Sequence, residues 1–151
     1  MFAKILLCLD GSSLSEQLVP YTAEIAQRFG SRVVLLQVLQ MSSALAVASV
    51  QGAEYVIEQE RRRLSAEAHE YLKRIGAQLK DKGLSAEVVV IEGTPGDAIV
   101  EYSKTSAIEL IVVAIHGRRN IGQLVFGSVA DHVMRNTTIP VLAMKPVELK
   151  E

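Results

Sequence analysis

Residues 109–144 of this chain read ELIVVAIHGRRNIGQLVFGSVADHVMRNTTIPVLAM. A strand is predicted over Glu109–Ala114, because its residues from Leu110 onward form a short, continuous apolar run of the kind that is buried on both faces. A helix is predicted over Gly127–Arg135 and a further strand over Ile139–Met144. Pro140 places that last strand at a sheet edge, because proline donates no backbone hydrogen bond. A strand, a helix and a strand in succession are typical of a right-handed crossover in a parallel sheet.

The same alternation continues toward the amino terminus. Three more apolar runs predict strands, and three stretches with a helical period predict helices. The strands are Ile5–Leu9, Val33–Leu39 and Ala86–Ile91, and the helices are Leu18–Phe29, Glu54–Lys82 and Asp97–Lys104. The predicted fold class is α/β: a single domain, 1–151, forming a three-layer sandwich with helices on both faces of a five-stranded parallel sheet. Ligands of such folds bind at the carboxyl ends of the strands.

Local signals mark the connections between these elements. Ser13–Glu16 has the spacing of a capping box, and Pro20 either kinks the first long helix or restarts it. Gly30 ends that helix. Gln40–Ala53 is small, apolar and serine-rich without a clear period, and it is interpreted as a mobile loop.

Composition narrows the class of protein. The chain has 151 residues with 16 basic and 17 acidic side chains, a balance that argues against binding of DNA or RNA. Its single cysteine, Cys8, forms no internal disulfide, which fits a reducing compartment. The run Ile5–Leu9 is too short for a signal peptide, and nothing approaches the ~20 apolar residues that span a bilayer. We therefore expect a cytoplasmic protein without a membrane segment.

The most informative segment for function joins Ala114-Ile115-His116-Gly117 to Gly127-Ser128-Val129 across nine residues. Gly117 allows phosphate oxygens to approach the main chain, and the helix that begins at Gly127 favours an anion at its amino terminus. The Ser128 hydroxyl can add a hydrogen bond or cap the helix. On spacing alone, a phosphate site and a glycine-bearing loop without a ligand are equally compatible with this pattern.

Several motifs in order give the chain a family resemblance. They are Asp10, Gly93-Thr94-Pro95, Glu109–Val113, the spacing from Gly117 to Gly127-Ser128, and Ile139–Leu142. Together they resemble the universal stress protein (UspA) family over about residues 4–144. The resemblance implies a sheet of order 3-2-1-4-5 and, in the nucleotide-binding branch, a motif of three glycines. Gly117, Gly127 and Ser128 match that motif, whereas Ala114 replaces its first glycine. Its methyl group either crowds a ribose or phosphate or is harmless if the backbone angles are ordinary.

The resemblance also implies roles for individual residues around ATP, AMP or ADP. Asp10 accepts hydrogen bonds from the ribose, although an aspartate there is also typical of a turn or cap. Val38 contacts the adenine, or alternatively packs in the core, and Val113 and Ala114 lie at the end of the fourth strand. Gly127, Ser128 and Val129 surround the phosphates. The loop residues expected at the ligand are His116, Gly117 and Arg118, and any Mg²⁺ is carried by the phosphates.

Three functions follow from different classes. The first is a regulatory protein that binds an adenine nucleotide and shifts affinity for a protein partner still unknown. The second is a stress-associated interaction module of the same fold without a nucleotide, favoured by Ala114 and by Cys8 where the ATP-binding branch often has proline. The third is a weak ATPase or nucleotidyl-transfer enzyme, disfavoured because the sequence offers no catalytic base and has no phosphate loop or nucleophile elbow. The resemblance implies a homodimer, and the apolar edge strand Ile139–Met144 is the predicted interface.

Overall fold

The computed structural model describes residues 1–41, 43–115 and 127–147. Five strands and six helices are formed within these ranges. The strands are β1 (Lys4–Cys8), β2 (Arg32–Leu39), β3 (Ala86–Glu92), β4 (Leu110–Ala114) and β5 (Val141–Met144). The helices are α1 (Ser13–Glu16), α2 (Val19–Phe29), α3 (Ser43–Val50), α4 (Glu54–Asp81), α5 (Pro95–Thr105) and α6 (Ser128–Asn136).

The strands form one parallel sheet in the order β3-β2-β1-β4-β5, which confirms the predicted fold class and strand order. Leu7 in the central strand β1 lies opposite Leu35 of β2 and Val112 of β4. The strand order reverses between β1 and β4, because the chain extends the sheet first on one side of β1 and then on the other. A crevice opens at such a reversal, at the carboxyl ends of the two strands.

Alternation along the buried strands produces a core on each face of the sheet. Leu7 and Leu35 belong to the core under α2 and α4, whereas Leu6 and Leu36 belong to the core under α5 and α6. These four side chains are at most 1% exposed. The continuous apolar runs predicted strands buried on both faces, and this burial confirms the prediction.

Two local predictions are wrong. The segment interpreted as a mobile loop contains helix α3 over Ser43–Val50, which packs against α4. Its residues are small or apolar on every side, so no polar face gives the period by which a helix is detected, although alanine and leucine favour helix formation. The capping box is also displaced, because Ser12 rather than Ser13 caps α1 and accepts a hydrogen bond from the Ser15 N–H.

Other boundaries differ by a few residues. Pro20 lies in the first turn of α2, where its missing N–H costs nothing, so the helix restarts rather than kinks. Gly30 ends α2 in the left-handed conformation at φ +66°, as predicted. Helix α5 begins at Pro95, before the predicted Asp97, and β5 begins at Val141 because Pro140 cannot donate to the ladder.

Candidate functional site

A cavity of about 290 Å³ lies at the carboxyl ends of β1 and β4, where the strand order reverses. Small-molecule pockets have volumes from ~300 Å³ upward, so this one is compact. Its apolar lining comprises Cys8, Leu9, Leu36, Val38, Pro95, Ile99, Val113, Ala114 and Val129. Its remaining lining residues are Asp10, Ser15, Gln40, Gly127 and Ser128.

The apolar wall is a continuation of the core beneath α5 and α6. Leu36, Ile99 and Val113 are buried members of that core, and Val38 packs against it from the end of β2. Because these side chains are held by strands and by the first turns of α5, the wall is rigid. It suits a flat apolar group such as a heteroaromatic ring.

The rim of the cavity carries Asp10, held in place by the turn that follows β1. Ser12 donates two hydrogen bonds to Asp10 Oδ1, from its N–H at 2.9 Å and from its hydroxyl at 2.5 Å. The Asp10 N–H also donates a hydrogen bond to Ser15 Oγ, with 3.4 Å between the nitrogen and the oxygen. Ser15 is buried, at 1% exposed. A carboxylate has about four acceptor positions, so Asp10 can also accept hydrogen bonds from hydroxyl groups in the cavity.

The other side of the rim is the amino terminus of α6. Gly127 is the N-cap residue, and no described side chain caps the helix. The alternative that Ser128 caps it is therefore wrong: Ser128 is the first helical residue and is exposed. The first N–H groups of a helix have no partner within the helix, and the helix dipole adds positive potential there. The amino terminus of α6 and the Asp10 carboxylate thus line the same cavity.

Comparison with known proteins agrees with this architecture. A model of the universal stress protein family matches residues 1–145. The chain belongs to the universal stress protein family. A universal stress protein of Methanocaldococcus jannaschii, MJ0531, is 28% identical over 145 residues, covering 96% of this chain and 83% of the relative.

Solved structures share the fold of this universal stress protein. Protein MJ0577 of the same archaeon has a TM-score of 0.83 at 23% identity, covering 99% of each chain. A universal stress protein family protein from Arabidopsis thaliana, solved with AMP bound, has a TM-score of 0.67 at 17% identity. That match covers 96% of this chain and 92% of the Arabidopsis chain.

Ala114, which replaces the first glycine of the motif of the nucleotide-binding branch, has ordinary strand geometry and lines the cavity from the end of β4. Its backbone is part of β4 and lies opposite Met144, and its φ is not positive. Val113 packs on the side of α5 and α6, whereas Ala114 belongs to the core beneath α2 and α4. Since neighbouring strand residues point to opposite faces, the Ala114 methyl group is directed away from the apolar wall formed by Val113.

The structure brings most of the predicted site residues of this universal stress protein together. Asp10, Val38, Val113, Ala114, Gly127, Ser128 and Val129 all line the one cavity. His116, Gly117 and Arg118 lie outside the described residues. Reasoning from sequence missed six lining residues: Leu9, Ser15, Leu36, Gln40, Pro95 and Ile99. The motif Gly93-Thr94-Pro95 could have predicted that Pro95 lines the cavity, since it places the start of a helix next to the end of a strand.

A second depression of about 580 Å³ adjoins the cavity, and both are lined by Gln40, Pro95, Ser128 and Val129. His132 Nε2 lies 2.8 Å from Asp97 Oδ1 there, joining α6 to α5. No local sequence pattern indicates this contact, because it connects residues on different helices. Gly96 permits this approach: a Cβ at that position would lie 2.7 Å from the His132 ring.

None of the helices in the described part of the chain has the length and apolar character of a membrane span. Within that same part, no group of three or more His, Cys, Asp or Glu side chains is arranged to hold a metal ion.

Cys8 forms part of the cavity wall as an uncharged thiol. It is 9% exposed, and burial raises its pKa from 9.0 to about 12. A thiolate is the nucleophilic form of cysteine, so at neutral pH this side chain acts as a small apolar group.

The Cys8 thiol should make the fold less stable in alkali. Between pH 9 and pH 12 the unfolded chain loses the thiol proton while the folded chain retains it, so the free energy of unfolding falls as pH rises. We expect Cys8 to contribute about 1 kcal/mol of the loss between pH 8 and pH 10. Urea denaturation of wild type and Cys8→Ala at both pH values measures this contribution. An equal loss in both proteins would contradict it.

Proposed function

We propose that this universal stress protein binds ATP or a related adenine nucleotide and acts as a regulatory module. The supporting observation is the cavity at the reversal of strand order, which is lined by an apolar wall, by Asp10 and by the amino terminus of α6, where no described side chain caps the helix. A nucleoside phosphate has matching parts: a flat base, a ribose with donor hydroxyls and an anionic phosphate chain.

The nucleoside half of the ligand would occupy the apolar side. The base would pack against Val38 and Val113, and the ribose hydroxyls would donate hydrogen bonds to Asp10. The turn that holds Asp10 supports this role, because the two donors from Ser12 fix the orientation of the carboxylate before a ligand arrives.

The phosphate half would accept hydrogen bonds from the backbone at the start of α6. Gly127, Ser128 and Val129 all line the cavity at this helix end, which is suited to an anion. We propose that His116, Gly117 and Arg118 complete the phosphate site. Any Mg²⁺ would enter with the phosphates, since phosphate oxygens and water supply the ligands this ion prefers.

The AMP found in the Arabidopsis relative supports an adenine base over other bases. Binding rather than turnover is proposed, because the Cys8 thiol is protonated and Ser128 makes no hydrogen bond to a base among the described residues. Regulation would act through Gln40, which lines the cavity three residues before α3. If the segment from Gln40 to α3 has two conformations and the nucleotide binds one of them more tightly, the nucleotide increases the population of that conformation.

The function includes assembly, and we propose a homodimer that pairs β5 with its copy. Strand β5 is an edge strand whose four residues are half-buried. Pro140 and Met144 accept hydrogen bonds from β4 through their carbonyl oxygens, so the backbone groups of Val141 and Ala143 face outward. Antiparallel pairing across a two-fold axis would satisfy these groups.

Isothermal titration of the full chain with ATP, AMP and GTP in the presence of Mg²⁺ tests nucleotide binding, after any co-purified nucleotide is removed. We expect both adenine nucleotides to bind in the micromolar range and GTP to bind more weakly. Absence of heat and of a thermal shift with all three would contradict the proposal. It would favour the interaction module without a nucleotide.

Asp10→Ala should weaken AMP binding about tenfold, because hydrogen bonds to a charged acceptor contribute ~1.5–3 kcal/mol. The variant Asp10→Asn removes the negative charge but keeps an oxygen that can accept the hydrogen bonds from Ser12. It therefore distinguishes the effect of losing the charge from the effect of disrupting the turn. Asp81→Ala, at the distant end of α4, is the charge-matched control. Equal affinity of wild type and Asp10→Ala for AMP would place the ribose elsewhere.

A further inference from the structure

The opposite edge of the sheet carries an open groove between α4 and the edge strand β3. Two depressions of about 470 and 650 Å³ follow one another along it. The first is lined by Ala86 and Val88, and the second by Val90. This groove lies apart from the cavity at β1 and β4, and none of its lining residues belongs to that cavity.

One side of the groove is backbone without a partner strand among the described residues. Ser85 O and Gly93 N are bonded to β2, at Val33 and Leu39. Alternate residues of a parallel strand face opposite sides, so the N–H and C=O groups of Ala86, Val88 and Val90 face outward.

Strand β3 has neither of the residues that most often protect an edge, proline and lysine. Its seven residues read AEVVVIE, so its charged side chains are the exposed Glu87 and Glu92, and Val88 to Ile91 between them remain partly exposed. Native proteins usually shorten such strands or place lysine or proline on them. An unprotected edge is a template for the addition of another strand.

The other side of the groove is positively charged beside the amino-terminal half of β3. Lys73 and Lys80 line it from α4, two turns apart on one helix face, and neither forms an ion pair within the described residues. Beside the carboxyl-terminal half of β3, positive and negative side chains are paired. Arg61 lies 3.1 Å from Glu92, and Arg62 lies 3.3 Å from Glu58. The uncompensated charge therefore lies beside the outward-facing backbone of Ala86 and Val88.

We infer that this groove binds an extended acidic peptide segment of a partner protein, which adds to β3 as a sixth strand. Outward backbone groups would give the segment its hydrogen bonds, and Lys73 and Lys80 would select carboxylates. Charge argues against a second copy of this chain as the occupant, since pairing β3 with itself would bring two positively charged grooves together.

The test uses the full chain and a fluorescein-labelled peptide of alternating glutamate and valine, with an alternating lysine and valine peptide as comparison. Fluorescence anisotropy should show binding of the acidic peptide only. Lys73→Glu/Lys80→Glu should weaken it about tenfold, because two attractive pairs become repulsive. The control Arg28→Glu/Lys104→Glu makes the same change of net charge on α2 and α5 and should bind as wild type does.

Hydrogen exchange of the unmodified protein tests the strand addition itself. The acidic peptide should slow exchange of the amides of Ala86, Val88 and Val90, which face outward. Val88→Pro should abolish that binding while preserving the sheet, because an outward N–H can be lost at an edge. Equal binding by the lysine reversal and the wild type, or unchanged exchange at these amides, would overturn the inference. The inference would also be overturned if the acidic peptide failed to bind and Val88→Pro dissociated a dimer, because β3 would then pair with a second copy of this chain.

Discussion

Replacing Gly127 by arginine is expected to abolish adenine-nucleotide binding, with a loss of affinity of about a hundredfold or more. Gly127 is buried at the start of α6 and lines the cavity. An arginine side chain there would occupy space in a cavity of only about 290 Å³ and block the approach of phosphate to the helix end. Isothermal titration with ATP and AMP measures the effect, where a hundredfold is about 2.7 kcal/mol.

The fold should tolerate this change, so the loss can be assigned to the site. Gly127 has φ −45° and ψ 144°, a conformation open to residues with a side chain. Asn136→Arg adds the same side chain at the exposed far end of α6 and should bind as wild type does. If Gly127→Arg retains wild-type affinity and its circular dichroism spectrum, the phosphates do not lie at α6.

The second large effect concerns assembly: Val141→Arg should convert the proposed dimer to a monomer of 16.4 kDa. Two-fold pairing of β5 would bring the arginine of one protomer close to that of the other, and like charges in an interface core oppose association. Val141 is half-buried in the protomer and begins the edge strand, so the substituted side chain can reach solvent once the protomers separate. Light scattering measures the mass.

Two further variants make this prediction specific. Ala143→Pro removes an N–H that faces outward and leaves the bonds between β4 and β5 in place, so it should also dissociate the dimer. Thr105→Arg carries the same charge at the end of α5 and should remain dimeric. A dimer that persists in both β5 variants would refute this interface.

The fold was largely predictable because the sheet depends on local patterns. Continuous apolar runs such as Leu110–Ala114 are too short for a typical helix and have the length of a strand that is covered on both faces. Helix α3 was missed for the converse reason. Its apolar composition on every side has no period, and its helical state is stabilised partly by packing on α4, which no local pattern encodes.

The candidate site was predictable where it follows a strand end. Asp10, Val38 and Val113 lie where β1, β2 and β4 finish, and parallel strands finish at one edge. Ile99 was not predictable in this way, because it lies in the second turn of α5. Only the packing of α5 on the sheet turns it toward the cavity.

By itself, the sequence determined the strands, their parallel arrangement and a helix start within one residue of Gly127, since these depend on residue order and on backbone rules that act locally. Tertiary structure alone decided which way the Ala114 methyl group points, that His132 meets Asp97, and that Cys8 stays protonated. It also decided that Lys73 and Lys80 lie beside the open edge of β3. Each of these depends on contacts between residues far apart in the chain, and distance in space is set only when the layers pack.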